Sequence, residues 1–191
     1  MSLWISRFGG LIPAGTVLDL ACGSGRHALW LASLGLDLRV LAVDRNPAAL
    51  AEIAAGGVTG VSGVTTRQVE LEAGPSAELE QLFRPRRFSG VVVTNYLHRP
   101  LFPLVLDSVA PKGVLLYETF AAGNEQFGKP SNPDFLLRPG ELLSLLAADK
   151  AGSWHVLAFE DGYTEQPKPA MVQRICAIKQ VGDMASALRL A

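Results

Sequence analysis

The run Val17-Leu18-Asp19-Leu20-Ala21-Cys22-Gly23-Ser24-Gly25-Arg26-His27-Ala28 joins an apolar strand to a helix through a glycine-rich turn, and Asp44 closes a second apolar strand about twenty residues later. Glycines at 23 and 25 let the backbone turn sharply and approach a ligand closely, while an acid at the second strand tip accepts both ribose hydroxyls of an adenosine. The pattern therefore predicts a nucleotide-cofactor site. Gly23 to Ala28 also fits the Gly-x-Gly-x-x-Gly/Ala dinucleotide fingerprint, in which a helix start receives a pyrophosphate. Asp19, four positions before the first glycine, argues against that use, because a carboxylate there would face the pyrophosphate unfavourably.

The wider segment resembles motif I of the class I S-adenosylmethionine-dependent methyltransferases. That resemblance implies S-adenosyl-L-methionine as cofactor, with Asp19, Ala21, Cys22, Gly23, Ser24 and Gly25 in the glycine-rich motif and Asp19 near the cationic methionine end. It makes Asp44 the ribose acid and sets Arg45 along the adenine edge. Val69-Glu70-Leu71-Glu72 matches the segment whose acid bonds the adenine amino group and whose next residue packs on the ring. Most relatives carry Asp there, so Glu70 and Glu72 both stand as candidates, with Leu71 against the base.

Ligands of open parallel sheets bind outside the carboxyl ends of the strands, which puts Asn95 and Tyr96 beside the reacting methyl group. His98 is a candidate base near neutral pH, with Tyr96 beside it as a second catalytic candidate, and Arg99 can pair with an anionic substrate. Tyr117 and Phe120 fall near the substrate end of the fifth strand. Alternation sends Tyr117 to the face opposite Glu118 and Phe120, and the sequence leaves open which face meets the pocket. Asn124 and Phe127 belong to a stretch rich in Gly, Asn and Pro, residues 120–139, expected to form a substrate-side lid or wall.

These residues need a scaffold that brings strand ends together. Apolar runs alternating with helical stretches predict strands at 16–22, 38–43, 64–71, 89–94 and 113–119, and helices at 25–35, 47–55, 76–83 and 100–109. A leucine-rich helix from Pro139-Gly140-Glu141 to about Ala148 follows, then strands near 153–160 and 171–179 joined by a polar connection from Asp161 to Pro169. The expected fold is an α/β, Rossmann-like, seven-stranded, mostly parallel sheet with a C-terminal antiparallel hairpin and helices on both faces. One domain is expected over 1–191, and residues 1–15 form an N-terminal segment that either covers the site or simply packs.

Composition narrows the classes. The chain has 191 residues, long enough for one substantial core and too short for a dinucleotide domain plus a separate substrate domain. A formal net charge of −1 gives no broad footprint for a polyanion, and Arg84, Arg86 and Arg87 form the one basic cluster, so nucleic acid is a disfavoured partner. Two cysteines suggest neither a disulfide framework nor a zinc site, and His27, His98 and His155 lack ligand spacing, so no metal is expected. Without a signal-peptide pattern or a spanning segment, a cytoplasmic location and no membrane partner are expected. The main expectation is methyl transfer to a small molecule by direct in-line displacement. RNA or protein methylation, non-catalytic binding of the cofactor, and a dinucleotide oxidoreductase are the alternatives, and oligomeric state is not legible.

Overall fold

A computed structural model describes residues 1–56 and 63–180. The last eleven residues of the expected 1–191 domain thus lie outside the described residues. Seven strands, β1 (Gly15–Leu20), β2 (Leu38–Asp44), β3 (Val64–Gln68), β4 (Phe88–Thr94), β5 (Val109–Phe120), β6 (Trp154–Thr164) and β7 (Ala170–Lys179), form one sheet in the order β3-β2-β1-β4-β5-β7-β6. The first five run parallel; β7 inserts antiparallel between β5 and β6. This is the expected mixed sheet. Its order reverses between β1 and β4, which opens a crevice at their carboxyl ends.

Side-chain alternation divides the core into two layers. Val17, Val40, Val92, Val114, Leu116 and Cys176 face a layer completed by α1 (Leu3–Phe8), α2 (Arg26–Ala32) and α3 (Pro47–Gly56). Leu18, Leu20, Val91, Val93, Leu115 and Ile175 face α4 (Ala77–Leu82), α5 (Phe102–Ser108) and α6 (Glu141–Ala148). Strands buried on both sides read as unbroken apolar runs, and that is why Val91-Val92-Val93 carries no polar residue. In α1, Trp4 and Ile5 are buried, and the Trp4 indole donates to the Ile175 carbonyl at 3.2 Å, so the N-terminal segment is part of the core.

Several boundaries shift: β5 begins at Val109 rather than 113, and α2 ends at Ala32 rather than 35. The third strand is shorter than 64–71: β2 ends at Asp44, whose carbonyl takes the last ladder bond, from the Val69 N–H at 3.1 Å, and the chain then turns. The sixth strand is longer than 153–160, because pairing with β7 continues to Thr164 opposite Ala170. Asp161 is therefore a strand residue, accepting from the Gly140 amide at 2.8 Å and the Gln173 side chain at 2.9 Å, and the connection shrinks to 165–169. The stretch 121–139 is ordered by short 3-10 turns at Asn124–Gln126 and Pro133–Phe135 and by a bridge between Ala121 and Leu137.

Candidate active site

The tips of β1 and β4 carry unusual backbone. Ala21 has φ of 53° and Asn95 φ of 55°, left-handed values rarely held by residues with a side chain and typical of functional turns. Gly23 and Gly25 follow with φ of 55° and 71°. Their second requirements differ. A Cβ on Gly25 would lie 2.5 Å from the Ile53 side chain, so this glycine lets the turn pack on α3. A Cβ on Gly23 would meet nothing within 4 Å and would project into open space beside the turn.

Asp44 ties the turn to the second strand. One carboxylate oxygen accepts the Gly23 N–H and the other the Asn46 N–H, each at 2.8 Å. A carboxylate oxygen has more than one acceptor direction, so both oxygens keep capacity for a ligand hydroxyl. Asp19 is the electrostatic opposite. It is fully buried, neither oxygen makes a well-formed hydrogen bond among the described residues, and burial pushes its pKa from 3.8 up to about 7, opposed first by the nearby Ala28 backbone N–H and then by Arg26. A buried carboxylate so weakly compensated is costly, and a cationic or N–H-bearing ligand group satisfies it.

Three cavities run along the strand ends. The first, about 200 Å³, is lined by Ala21, Asp44, Arg45, Glu70, Leu71, Glu72 and Tyr96. The second, about 390 Å³, shares Arg45, Glu72 and Tyr96 with it and adds Asn95, Thr119 and Phe120. Pro130 and Phe135 of the 121–139 stretch form its outer wall. The third, about 270 Å³, shares Asn95 and Phe120 with the second and continues past Ser2, Arg26, Lys168 and Arg174. Shared walls make these one trough across the tips of β2, β1, β4 and β5.

Nine candidates from the sequence meet in this trough: Ala21, Asp44, Arg45, Glu70, Leu71, Glu72, Asn95, Tyr96 and Phe120. Glu70 and Glu72 are both exposed, and a Glu70 oxygen accepts the Glu72 N–H at 3.2 Å, closing the turn after β3. The Tyr96 hydroxyl is buried beside Glu72, and burial together with Glu72 and Glu70 holds the phenol protonated well above its usual range. Alternation along β5 is now resolved. Glu118 and Phe120 face the trough, with Glu118 ion-paired to Arg174 at 2.7 Å, whereas Tyr117 points into the layer of α5. There it stacks on Phe102 at 5.5 Å and donates to the Tyr96 carbonyl at 2.8 Å.

Several other candidates have structural partners. The Arg99 guanidinium donates to both oxygens of Glu141, at 2.7 and 2.9 Å, and to the carbonyls of Asp134 and Leu136, and this pairing holds its pKa high. Asn124 is buried, donating to the Pro130 carbonyl at 2.9 Å and accepting from the Met171 N–H at 3.2 Å. Phe127 is exposed and packs on Tyr163 at 5.2 Å. His98 is half-buried before the turn Arg99–Leu101 and lines none of the three cavities. Ser24 is exposed on the turn. Cys22 is buried and its thiol pushed upward by burial, as is Cys176, to about 12, so neither is an activated nucleophile.

Sequence reasoning missed His27. It is buried, its Nε2 accepts the Ser2 N–H at 3.2 Å, and its Nδ1 lies 3.3 Å from the Thr94 hydroxyl. Accepting at Nε2 assigns the ring proton to Nδ1, and burial pushes the pKa down to about 4. His27 thereby fastens the N-terminal segment to the tip of β4. Lys168 was missed because it lies far along the chain, on the hairpin connection, and reaches the trough only through the insertion of β7.

Sheet order and crevice together define the class of fold: a Rossmann-like methyltransferase fold. Residues 17–110 match the family model described as a methyltransferase domain, just under half of the chain and the half that holds the glycine-rich turn, Asp44 and Asn95. The match makes residues 17–110 similar to a methyltransferase domain, and together with the fold it indicates S-adenosylmethionine as the cofactor. Among solved structures it is similar to a SAM-dependent methyltransferase from Aquifex aeolicus, at 18% identity and a TM-score of 0.63, covering 91% of this chain and 87% of that one. TehB from Haemophilus influenzae matches at 18% identity and a TM-score of 0.69, over 93% of this chain and 61% of that one. The [4+2]-cyclase SpnF matches at 16% identity and a TM-score of 0.67, over 94% and 79%. At such identities the likeness is one of fold, and the inclusion of a cyclase leaves the acceptor to be argued from the site. The curated proteins contain no match.

Proposed function

We propose that the chain, working as a single domain in the cytoplasm, transfers a methyl group from S-adenosylmethionine to a small molecule by in-line displacement. The observation that carries this reading is Asp44, which keeps acceptor capacity on both oxygens and borders the first cavity beside the Gly23 turn, together with the buried Asp19 on the strand that leads into that turn. In this reading Asp44 holds the ribose, and Arg45, Leu71 and Tyr96 enclose the adenine. Glu70 and Glu72 offer acceptors at its amino edge. Asp19 neutralises the methionine ammonium directly or through water, and Asn95 and Tyr96 border the methyl group.

When bound, the cofactor supplies a sulfonium-activated methyl carbon: the acceptor's lone pair forms the new bond, the carbon–sulfur pair stays on sulfur, and S-adenosylhomocysteine leaves. The chain's own part is alignment, which can account for much of the acceleration. His98 stands outside the trough, and the Tyr96 phenol is held protonated, so acceptors that arrive deprotonated, or neutral with a free lone pair, suit this site best.

A small acceptor is favoured over RNA by the placement of the arginine cluster. Arg84, Arg86 and Arg87 precede β4 and so lie at the amino ends of the strands, across the sheet from Asn95. Arg87 is also engaged with the carbonyls of Gln81 and Leu82, at 2.7 and 3.0 Å. The stretches Gly23–Ala32, Asp44-Arg45-Asn46 and Pro139-Gly140-Glu141-Leu142 resemble those of the tellurite-resistance and thiopurine-type small-molecule enzymes, and that resemblance supports the same reading. Labelled-methyl transfer with the purified protein tests it: a labelled product in a small-molecule extract, with none in total RNA or protein, is the expected result. Label confined to macromolecules would refute it.

A further inference from the structure

The third cavity has an unbalanced charge. Arg26, Lys168 and Arg174 line it against one carboxylate, Glu118. Arg174 is engaged by Glu118 at 2.7 Å and by Glu160 at 3.1 Å, whereas Arg26 and Lys168 meet no carboxylate within 4.0 Å among the described residues. Two cations therefore border one recess without local compensation. Their positions differ. Arg26 follows the glycine-rich turn on the side of Asp19, within reach of the methionine end proposed above, so the amino-acid carboxylate of the cofactor accounts for it. Lys168 sits on the far wall, on the hairpin connection.

The Lys168 ammonium lies 6.0 Å from the centre of the Phe120 ring, on its face. Phe120 in turn borders both the second and third cavities, next to Asn95 at the β4 tip. A flat apolar wall, a cation at its outer lip and the methyl-side residue at its inner edge form a graded site. We propose that the methyl acceptor is a small organic anion, an aromatic or otherwise flat carboxylate, whose body rests on Phe120 and whose charged group pairs with Lys168, leaving the opposite end directed to Asn95. This rests on the cofactor reading above and adds the acceptor class to it. Glu118 sharpens the choice: already paired to Arg174, it gives a cationic acceptor no free partner, and it repels an anion placed deeper than Lys168.

Calorimetric titration of benzoate and of benzamide into protein saturated with S-adenosylhomocysteine tests the proposal. Benzoate should bind about tenfold more tightly than benzamide, the scale of one hydrogen bond between charged groups. Lys168→Gln should erase that preference while leaving benzamide and S-adenosylhomocysteine affinities unchanged, and Lys168→Arg should keep it. Equal binding of the two probes, no benzoate binding at its highest soluble concentration, or a Lys168→Gln protein that still prefers benzoate would each overturn the assignment. Failure of S-adenosylhomocysteine itself to bind is seen in the preceding titration and would instead overturn the cofactor reading beneath it.

Discussion

The Asp44 carboxylate and the Gly23 amide are 2.8 Å apart, so the acid proposed to hold the ribose also sets the backbone of the turn that faces it. Asp44→Ala should remove two ribose contacts of charged character, about 1.5–3 kcal/mol each, and raise the Kd for S-adenosylhomocysteine at least about a hundredfold. It should also lower the melting temperature, because the Gly23 and Asn46 amides lose their acceptor. Calorimetry and thermal denaturation check the two effects separately. An unchanged Kd with a lowered melting temperature would leave Asp44 a purely structural acid.

Cofactor binding should expel a proton. Burial lifts Asp19 to about 7, so near neutrality the ligand-free protein is partly protonated there, and a bound ammonium favours the carboxylate. Affinity for S-adenosylhomocysteine should then rise from pH 6 to pH 8. Binding enthalpies measured in buffers of different ionisation enthalpy should show net proton release, and Asp19→Asn should abolish it. Release that persists in the Asp19→Asn protein would place the proton elsewhere.

Two buried groups should pull stability in opposite directions with pH. His27 is held near 4, below its ordinary 6.5, so between those values the unfolded chain binds more protons and stability rises with pH. Asp19 is raised from 3.8 to about 7, so over that range the folded chain binds more protons and stability falls with pH. Each contributes a slope of at most about 1.4 kcal/mol per pH unit, and they largely cancel between pH 4 and 6.5. Denaturant titrations of Asp19→Asn should therefore show stability climbing more steeply over that window than in the parent protein. Parallel curves would sink the assignment.

Arg99 should behave as a clamp. Its guanidinium joins α6, through Glu141, to the carbonyls of Asp134 and Leu136 in the 121–139 stretch. Arg99→Met should cost about 1.5–3 kcal/mol, the range of a lost charged hydrogen bond in a part-buried pair, and increase protease cutting within 121–139. Lysine should not rescue it, since an ammonium cannot make the two-pronged contact with Glu141. A changed KM with unaltered stability would instead put Arg99 in contact with the acceptor.

Local pattern made the parallel half of the fold legible, because strands buried on both faces announce themselves as Val-rich runs and the glycine-rich turn fixes where β1 must end. Asp19, Asp44 and Asn95 were legible for the same reason: each is at a strand tip, and strand tips converge by topology. What the sequence could not reveal depends on distant pairing. Which face Tyr117 takes is decided by the register of β5 against β4 and β7, and the engagement of Arg99 is decided by Glu141, forty-two positions away, which accepts from its Nε and Nη2. His27 hid for a similar reason, since its partners Ser2 and Thr94 come from a different helix boundary and a different strand.

The late antiparallel insertion of β7 has a consequence for how such an enzyme can diversify. Because β7 reaches its place between β5 and β6 through the connection 165–169, the wall bearing Lys168 is a tether that can lengthen, shorten or change charge while every ladder bond of the sheet stays in register. On the acceptor assignment proposed above, taste for a new acceptor is acquired at a hairpin tip, apart from the strand tips proposed to hold the methyl donor.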